Sequence, residues 1–211
     1  MVQSKMLQAP KTTDTRERLL EVAETAVLAK GFSATSIEEL IAAVGITKSG
    51  FFYHFKDKNE LAKAMMLRYL AHDQRVLDEI FQRGDELNED PLHGFLVGLK
   101  MFAEMMQNLP DVHPGCLAAS FCYQDHLFDK EIRDLNAKGI LRWRGRFRER
   151  LDLIATRHPP RGQPDFEAMA DMAATLVEGG LILGRALRDA TILPRQVLLY
   201  RDFIRAIFVA A

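Results

Sequence analysis

The sequence predicts an all-α protein, and three observations support this fold class. Apolar residues recur at intervals of three and four through most of the 211-residue chain, no segment alternates like a β-strand, and Gly and Pro fall between the periodic segments. With 48% hydrophobic and 27% charged residues, the composition is that of an ordinary globular protein. The net charge of -1 provides no general attraction for a polyanion, so a nucleic-acid contact has to come from a local patch.

The first helix is predicted from about Asp14 to Lys30. Asp14 or Thr15 can cap its start, and Gly31 can end it. The residues before it, Met1 to Thr13, have the composition of a flexible arm.

Two short helices follow. "TSIEELIAAVG" predicts a helix capped by Thr35 or Ser36 and stopped by Gly45, and "TKSGFFYHF" predicts another capped by Thr47. Two short helices joined at a glycine, the second carrying small and polar residues, are typical of a helix-turn-helix. The alternative is a small helical bundle whose lysines are only solvated.

The remaining helices are separated by "GDELNED", "PDVHPG" and "HPPRGQP". The predicted segments are about Asp57–Phe81, Pro91–Leu109, a short helix from near Gly115, Asp129–Arg157, Asp165–Asp189 and Pro194–Val209.

A helix that reads DNA needs one face to pack and the other to approach bases. Phe51, Phe52 and Phe55 are predicted to pack the third helix against the first two. Small residues would keep the opposite face low, and longer ones would reach bases or phosphates. The predicted reading face consists of Thr47, Lys48, Ser49, Gly50 and Tyr53.

Charge in this region is balanced. Up to Glu60 there are eight Lys or Arg and eight Asp or Glu residues. DNA binding would therefore rest on directional phosphate contacts, with a modest dependence on salt. Lys5 and Lys11 could contact a minor groove or belong to an unbound tail.

The segment from about Thr12 to Arg75 resembles the TetR/AcrR family of transcriptional regulators. It carries "TRERLLEVAETAVLAKGFSATSIEELIAAVGITKSGFFYHFKDKNELAKAM", which includes a Gly-Phe after the first helix, Gly-Ile-Thr-Lys and Tyr-His-Phe-x-x-Lys-x-x-Leu. The resemblance implies a helix-turn-helix DNA-binding domain at 12–72, with the motif at about 35–54, and a helical ligand-binding and dimerisation domain at 73–211. It also implies a homodimeric repressor that a small-molecule effector releases from a palindromic operator in double-stranded DNA.

By position, the resemblance makes Thr35 or Ser36, His54 and Lys58 phosphate contacts. The chain departs from the family at Phe52, where a Tyr is frequent, so the phosphate contact of that hydroxyl is in doubt.

Two apolar stripes near the C-terminus predict either a four-helix dimer interface or packing within one chain, and the resemblance favours the dimer. The first contains Phe166, Met169, Ala173, Leu176, Gly180, Gly184 and Leu187, and the second contains Val197, Ile204, Ile207 and Phe208.

The Met- and Phe-rich segment "GFLVGLKMFAEMMQNL" suits either a core or an effector pocket. In "LRWRGRFRERL", Arg144 and Arg150 flank an apolar helical stripe, where they could bind an anionic effector or stay solvated. The candidate pocket residues are Phe95, Phe102, Met105, Met106, Trp143, Arg144, Phe147 and Arg150.

Cys116 is expected in the first turn of a helix, where the dipole would lower its pKa and make it a thiol-based electrophile or redox sensor. The alternative is a small buried cysteine. His113, Cys116, Cys122 and His126 have a spacing that fits zinc poorly, so no metal and no cofactor is expected. A Cys–His enzyme is the alternative from a different class, although no oxyanion site or phosphate loop accompanies it.

The chain has no apolar signal core and no run long enough to cross a bilayer, and its two cysteines are too few for a disulfide framework. The sequence therefore predicts a cytoplasmic protein without a membrane partner.

Overall fold

The computed structural model describes residues 15–209, which form nine α-helices and no strand. This confirms the all-α prediction. A 3-10 turn at Asp125–Leu127 joins the sixth and seventh helices. The helices are α1 Thr15–Lys30, α2 Ile37–Val44, α3 Lys48–His54, α4 Lys58–Leu87, α5 Pro91–Gln107, α6 Leu117–Tyr123, α7 Lys130–Ala155, α8 Phe166–Leu187 and α9 Ile192–Phe208. The predicted arm, with Lys5 and Lys11, and the Asp14 cap lie outside the described residues.

Helix α4 is longer than predicted, because "GDEL" continues it from Phe81 to Leu87. Gly84 is a packing site here rather than a break: a Cβ on it would lie 2.3 Å from the Gly94 carbonyl oxygen of α5. The two helices therefore cross at a distance that only glycine permits. Asn88 then ends α4.

Two hydrophobic cores share α4. The N-terminal core is built from α1–α3 and the first half of α4, and the C-terminal core from the second half of α4, α5 and α7–α9. The N-terminal core also contains four side chains from beyond α5, namely Leu117, Phe121, Phe128 and Ile132. The domain boundary proposed near residue 72 thus lies inside a continuous helix, and the second half of the chain completes the core of the first.

The apolar stripes predicted on α8 and α9 largely face inward. Met169, Ala173, Gly180 and Gly184 are buried, as are Val197, Ile204 and Phe208, because α9 packs closely on α8. A Cβ on Gly180 would lie 3.0 Å from the Leu193 Cα. For these residues, packing within one chain is the correct alternative, and a dimer would have to use the outer faces of the two helices.

Within residues 15–209, none of the helices combines the length and the apolar content that a bilayer-spanning segment needs.

Candidate nucleic-acid interface

The turn between α2 and α3 is fixed by a cap at the start of each helix. The Ser36 hydroxyl accepts a hydrogen bond from the Glu39 N–H at 3.1 Å. The Thr47 hydroxyl accepts one from the Gly50 N–H, also at 3.1 Å. Between them Gly45 ends α2 with φ 76°, a conformation that favours glycine because it lacks a Cβ. Of the two caps predicted for α2, Ser36 is the correct one and Thr35 is not, and the cap predicted at Thr47 is confirmed.

One side of α3 packs into the N-terminal core. Phe51 and Phe55 are 0% and 1% exposed and pack among residues that include Leu40 and Val44 of α2. The Arg18 guanidinium of α1 donates to the Val44 carbonyl oxygen at 3.1 Å. These contacts hold α3 in a fixed orientation relative to α1 and α2.

The opposite side of α3 is open to solvent. Tyr53 is 86% exposed, and its ring meets that of half-buried His54 edge-on. Phe52 departs from its predicted packing role, since it is 45% exposed, although its ring makes an edge contact with that of Phe51. The other exposed or partly exposed residues of this side are Thr47, Lys48, Ser49 and Gly50.

The charges beside this face are paired with carboxylates of α2. The Lys48 ammonium lies 3.2 Å from the Glu38 carboxylate, and the Lys30 ammonium lies 2.5 Å from that of Glu39. Hydrogen bonds from its own backbone and from Lys48 lower the pKa of Glu38, so the carboxylate stays ionised beside the reading face. The surface therefore offers directional donors rather than a broad positive field.

The residues expected to contact phosphate differ in their exposure and in their hydrogen-bond partners. Ser36 is exposed at the start of α2, where free backbone N–H groups can bind an anion. Thr35 is 1% exposed, and its hydroxyl donates to the Gly31 carbonyl oxygen at 2.9 Å. The Lys58 ammonium donates to the Phe32 carbonyl oxygen at 2.6 Å. Thr35 and Lys58 thus bond to the α1–α2 loop, whereas Ser36, although it caps α2, is exposed to solvent.

Most of the candidate effector-pocket residues belong to the C-terminal core. Phe95, Phe102 and Phe147 are at most 8% exposed and pack inside it. The partly buried residues Met105, Met106 and Trp143 pack against it. The aromatic and Met-rich segment therefore acts here as core packing.

The two arginines proposed for an anionic effector already bind carboxylates of the protein. Arg144 makes two hydrogen bonds to Asp171, at 2.6 and 2.9 Å, and one to Glu167 at 2.9 Å. Arg150 donates to Asp85 at 2.7 Å and lies over the Phe81 ring. An anionic effector would have to displace these partners.

The expected low pKa of Cys116 is wrong. Cys116 caps α6 from just outside the helix, where its sulfur accepts from the Ala119 N–H at 3.4 Å. Burial, followed by the nearby Glu178 carboxylate, raises the pKa of this thiol to about 12. The Tyr69 hydroxyl lies 3.2 Å from the sulfur. The cap geometry is therefore outweighed by desolvation and by a negative neighbour.

Sequence reasoning missed two largely buried carboxyl groups, of which Glu178 lies beside this thiol. Burial raises the pKa of Asp73 to about 6, although the Trp143 indole N–H donates to its carboxylate at 2.5 Å. Burial also raises the pKa of Glu178. Asp73 and Glu178 lie on different helices, so helical periodicity gave no signal that they meet. Within the described part of the chain, no group of three or more His, Cys, Asp or Glu residues is arranged to hold a metal ion.

A cleft of about 760 Å³ lies at the junction of the two halves. It is lined by α1, by Arg68 of α4, by the α5–α6 loop and by the end of α8. Beside it, the Arg185 guanidinium donates to the carbonyl oxygens of Leu28 at 2.9 Å and Pro114 at 2.7 Å. Arg185 thereby joins α8 to α1 and to the loop before α6.

Helix α3 packs one face into the core and follows a tight turn after α2, and this arrangement on an all-helical chain defines a helix-turn-helix fold. Comparison with known proteins points to one family with this fold. A family model described as "Bacterial regulatory proteins, tetR family" matches residues 19–65. The HTH-type transcriptional repressor NemR of Escherichia coli (strain K12) is 33% identical over 72 residues, which are 34% of this chain and 36% of NemR. The match thus spans about a third of the length of that relative.

Longer similarities are weaker in sequence but cover the whole fold. The uncharacterized HTH-type transcriptional regulator YxaF of Bacillus subtilis (strain 168) is 22% identical over 182 residues, 84% of this chain and 88% of YxaF. The crystal structure of the reduced form of E. coli NemR has a TM-score of 0.75 at 19% identity, covering 94% of this chain and 98% of that one. Residues 19–65 are therefore similar to the DNA-binding segment of the TetR family, and the described chain as a whole has the fold of a TetR-type regulator structure. These relatives are described as transcriptional regulators, so the comparisons give no support to the Cys–His enzyme alternative.

Replacing Asp73 by Asn should stabilise the fold at about pH 7.5 but not at about pH 4. The folded-state pKa of Asp73, about 6, lies above its ordinary value of 3.8, so stability falls as pH rises through this window. Asn still accepts from Trp143 but never ionises, and the gain at pH 7.5 should reach about 3 kcal/mol. Urea unfolding at both pH values measures it.

Asp78→Asn is the control, because Asp78 is another carboxylate of α4 that pairs with Arg146 of α7 and has a half-exposed side chain. This variant should lose less than about 1 kcal/mol of stability at pH 7.5. A destabilised Asp73→Asn protein at pH 7.5 would contradict the assigned cost of that buried charge.

Cys122 should be alkylated at least about tenfold faster than Cys116 in the folded protein, since Cys122 is exposed and Cys116 is a buried, protonated thiol. Iodoacetamide treatment followed by peptide mass mapping gives both rates. Equal rates for the two cysteines in the folded protein, unchanged when urea unfolds it, would show that Cys116 is accessible and would favour the thiol-sensor alternative.

Proposed function

We propose that the protein binds double-stranded DNA as a homodimer and acts as a repressor that a small-molecule effector releases from a palindromic operator. The observation that carries this proposal is the exposed Thr47–Tyr53 side of α3, which stands on the buried rings of Phe51 and Phe55. A rigid helix with a low polar face suits insertion into a major groove.

Within this proposal the DNA contacts divide by chemistry. The small residues Ser49 and Gly50 allow the backbone of α3 to approach base edges, and Lys48 and Tyr53 extend beyond it. Ser36 and the start of α2 would bind phosphate, and His54 at the end of α3 would be a further phosphate contact. Thr35 and Lys58 would support this surface by holding the α1–α2 loop rather than by touching DNA.

Support for a homodimer comes from the outer faces of α8 and α9, which remain apolar and exposed. These two packed helices present Ile182, Leu183, Leu187, Leu198 and Leu199, each at least 36% exposed. A second copy related by a two-fold axis could bury the same residues, giving a four-helix interface. Such symmetry would place two α3 helices on a palindrome.

For the effector, the junction cleft is better supported than the Met- and Phe-rich segment. Its volume is within the range of small-molecule sites, and both halves of the chain line it. A ligand there would meet different surroundings whenever α1 and α8 shift relative to each other. Such a difference in affinity between two states is what lets an effector move the equilibrium between them.

Selection of bound duplexes from a random DNA pool tests the proposal. The reduced protein at moderate salt should enrich a palindrome whose half-sites lie about one helical turn apart. Failure to enrich any sequence, with folded and dimeric protein, would reject DNA recognition by α3.

Lys48→Ala should weaken binding to the selected operator by about tenfold, since it removes a charge-assisted contact worth roughly 1–3 kcal/mol. Lys100→Ala is the control, because Lys100 is an exposed, paired lysine on α5 outside the reading surface. Fluorescence anisotropy at fixed salt compares the variants. Equal affinities for the two variants would remove Lys48 from the interface.

Leu199→Asp should convert the dimer to a monomer at micromolar concentration, because a charge would be buried against its symmetry mate. Leu153→Asp is the matched control: Leu153 is 48% exposed on α7, and Leu199 is 56% exposed on α9. Light scattering after size exclusion gives both masses. A dimeric Leu199→Asp protein would place the interface elsewhere.

A further inference from the structure

The loop between α1 and α2 is held by a residue from the second half of the chain, beyond α4 and α5. Gln124 follows α6, and its side-chain oxygen accepts hydrogen bonds from the backbone N–H groups of Phe32 at 2.8 Å and Ser33 at 3.3 Å. Buried or part-buried backbone donors need partners. These two find theirs about 90 residues away, so the loop is fully bonded only when α6 is docked.

Gly31 is shaped to this contact. Its φ of 86° is in the left-handed region, and a Cβ there would lie 2.5 Å from the Gln124 side-chain nitrogen. Glycine supplies both the backbone conformation and the space for the amide. The Gln124 amide therefore lies directly against the backbone at the end of α1.

Aromatic contacts hold the same loop in addition to the hydrogen bonds of Gln124. The Phe32 ring is 5% exposed and packs against Phe121 at 5.9 Å and Phe128 at 4.9 Å between ring centroids. Phe121 and Phe128 stack on each other at 4.2 Å. The Lys58 ammonium lies 4.3 Å above the Phe32 ring and bonds its carbonyl oxygen. Phe32 is thus held at its N–H, its carbonyl and its ring.

The loop passes this restraint to the helix-turn-helix. The Thr35 N–H donates to the Phe32 carbonyl oxygen at 3.2 Å, and the Thr35 hydroxyl donates to Gly31. Ser36 follows immediately as the cap of α2, which is joined to α3 by a three-residue turn. A shift of the loop would therefore move α2 and, with it, the reading face of α3.

We infer that Gln124 is a positioning residue for operator binding, which fixes each helix-turn-helix to its own regulatory half and so sets the spacing between the two α3 helices of the dimer. This inference rests on the proposed function. A connection through α4 alone would leave twisting about that helix, and the attachment at the α1–α2 loop, together with the core contacts of α6 and α7, restricts it. The operator would then be discriminated by half-site spacing as well as by base sequence.

The experiment compares affinity for the selected operator with affinity for the same operator carrying one base pair inserted between its half-sites. The insertion rotates one half-site by about 35° relative to the other. Gln124→Met has similar length without an acceptor, Gln124→Asn has an amide that is one methylene too short, and Gln124→Glu keeps an acceptor oxygen in place. Amide hydrogen exchange at Phe32 and Ser33 reports whether the clamp is present.

The expected result is a ratio of the two affinities that falls about tenfold in Gln124→Met and Gln124→Asn, with faster exchange at both amides. Gln124→Glu should keep the ratio within about twofold of the unaltered protein, which a general loss of stability would not explain. Unchanged ratios in Gln124→Met and Gln124→Asn despite faster exchange would overturn the inference, as would equal loss in all three variants.

If Gln124→Met does not fold, the milder Gln124→Asn decides. Failure of the unaltered protein to bind any operator would instead reject the proposed function, and this outcome is separate from the behaviour of the variants.

Discussion

The structure depends on α4 belonging to two hydrophobic cores at once. Leu61, Met65 and Met66 lie in the N-terminal core, whereas Leu77 and Phe81 lie in the C-terminal core. The 30-residue helix is about 45 Å long, so it carries the position of one core to the other. Burial on both ends prevents either half from moving without shifting this helix. Every other contact between the halves restricts how they can turn about it.

Two further contacts between the halves restrict rotation about α4, and they differ in chemistry. The α1–α2 loop is held by an aromatic stack and by the amide of Gln124, which are insensitive to salt because they lie in or at the edge of a core. The Arg185 contact is exposed and charge-assisted, and it lies beside the junction cleft. A bound small molecule can therefore disturb the second attachment more easily than the first. In the proposed function, α1 would couple the ligand to DNA binding, because both attachments contact the end of this helix.

The sequence contained the local part of this arrangement. Caps at Ser36 and Thr47 and the stop at Gly45 are encoded within four residues of where they act, so the helix-turn-helix could be predicted from them. The predictions that failed concern distant partners. The pKa of Cys116 depends on burial and on Glu178, which lies 62 positions further along the chain. Helical periodicity cannot predict that two residues so far apart in sequence are in contact. Gln124 gave no signal either, because its partners are backbone groups. The apolar stripe predicted on α8 is present, but its small residues allow α9 of the same chain to cover it, so it is not a dimer surface.

Guanine methylation interference on the selected operator tests the central claim most directly, because N7 lies in the major groove. Methylation of guanine N7 should block binding at two clusters about one helical turn apart, one in each half-site. A single cluster would contradict the dimeric arrangement. Binding that methylation of guanine N7 leaves unaffected, while adenine N3 methylation in the minor groove abolishes it, would contradict reading by α3.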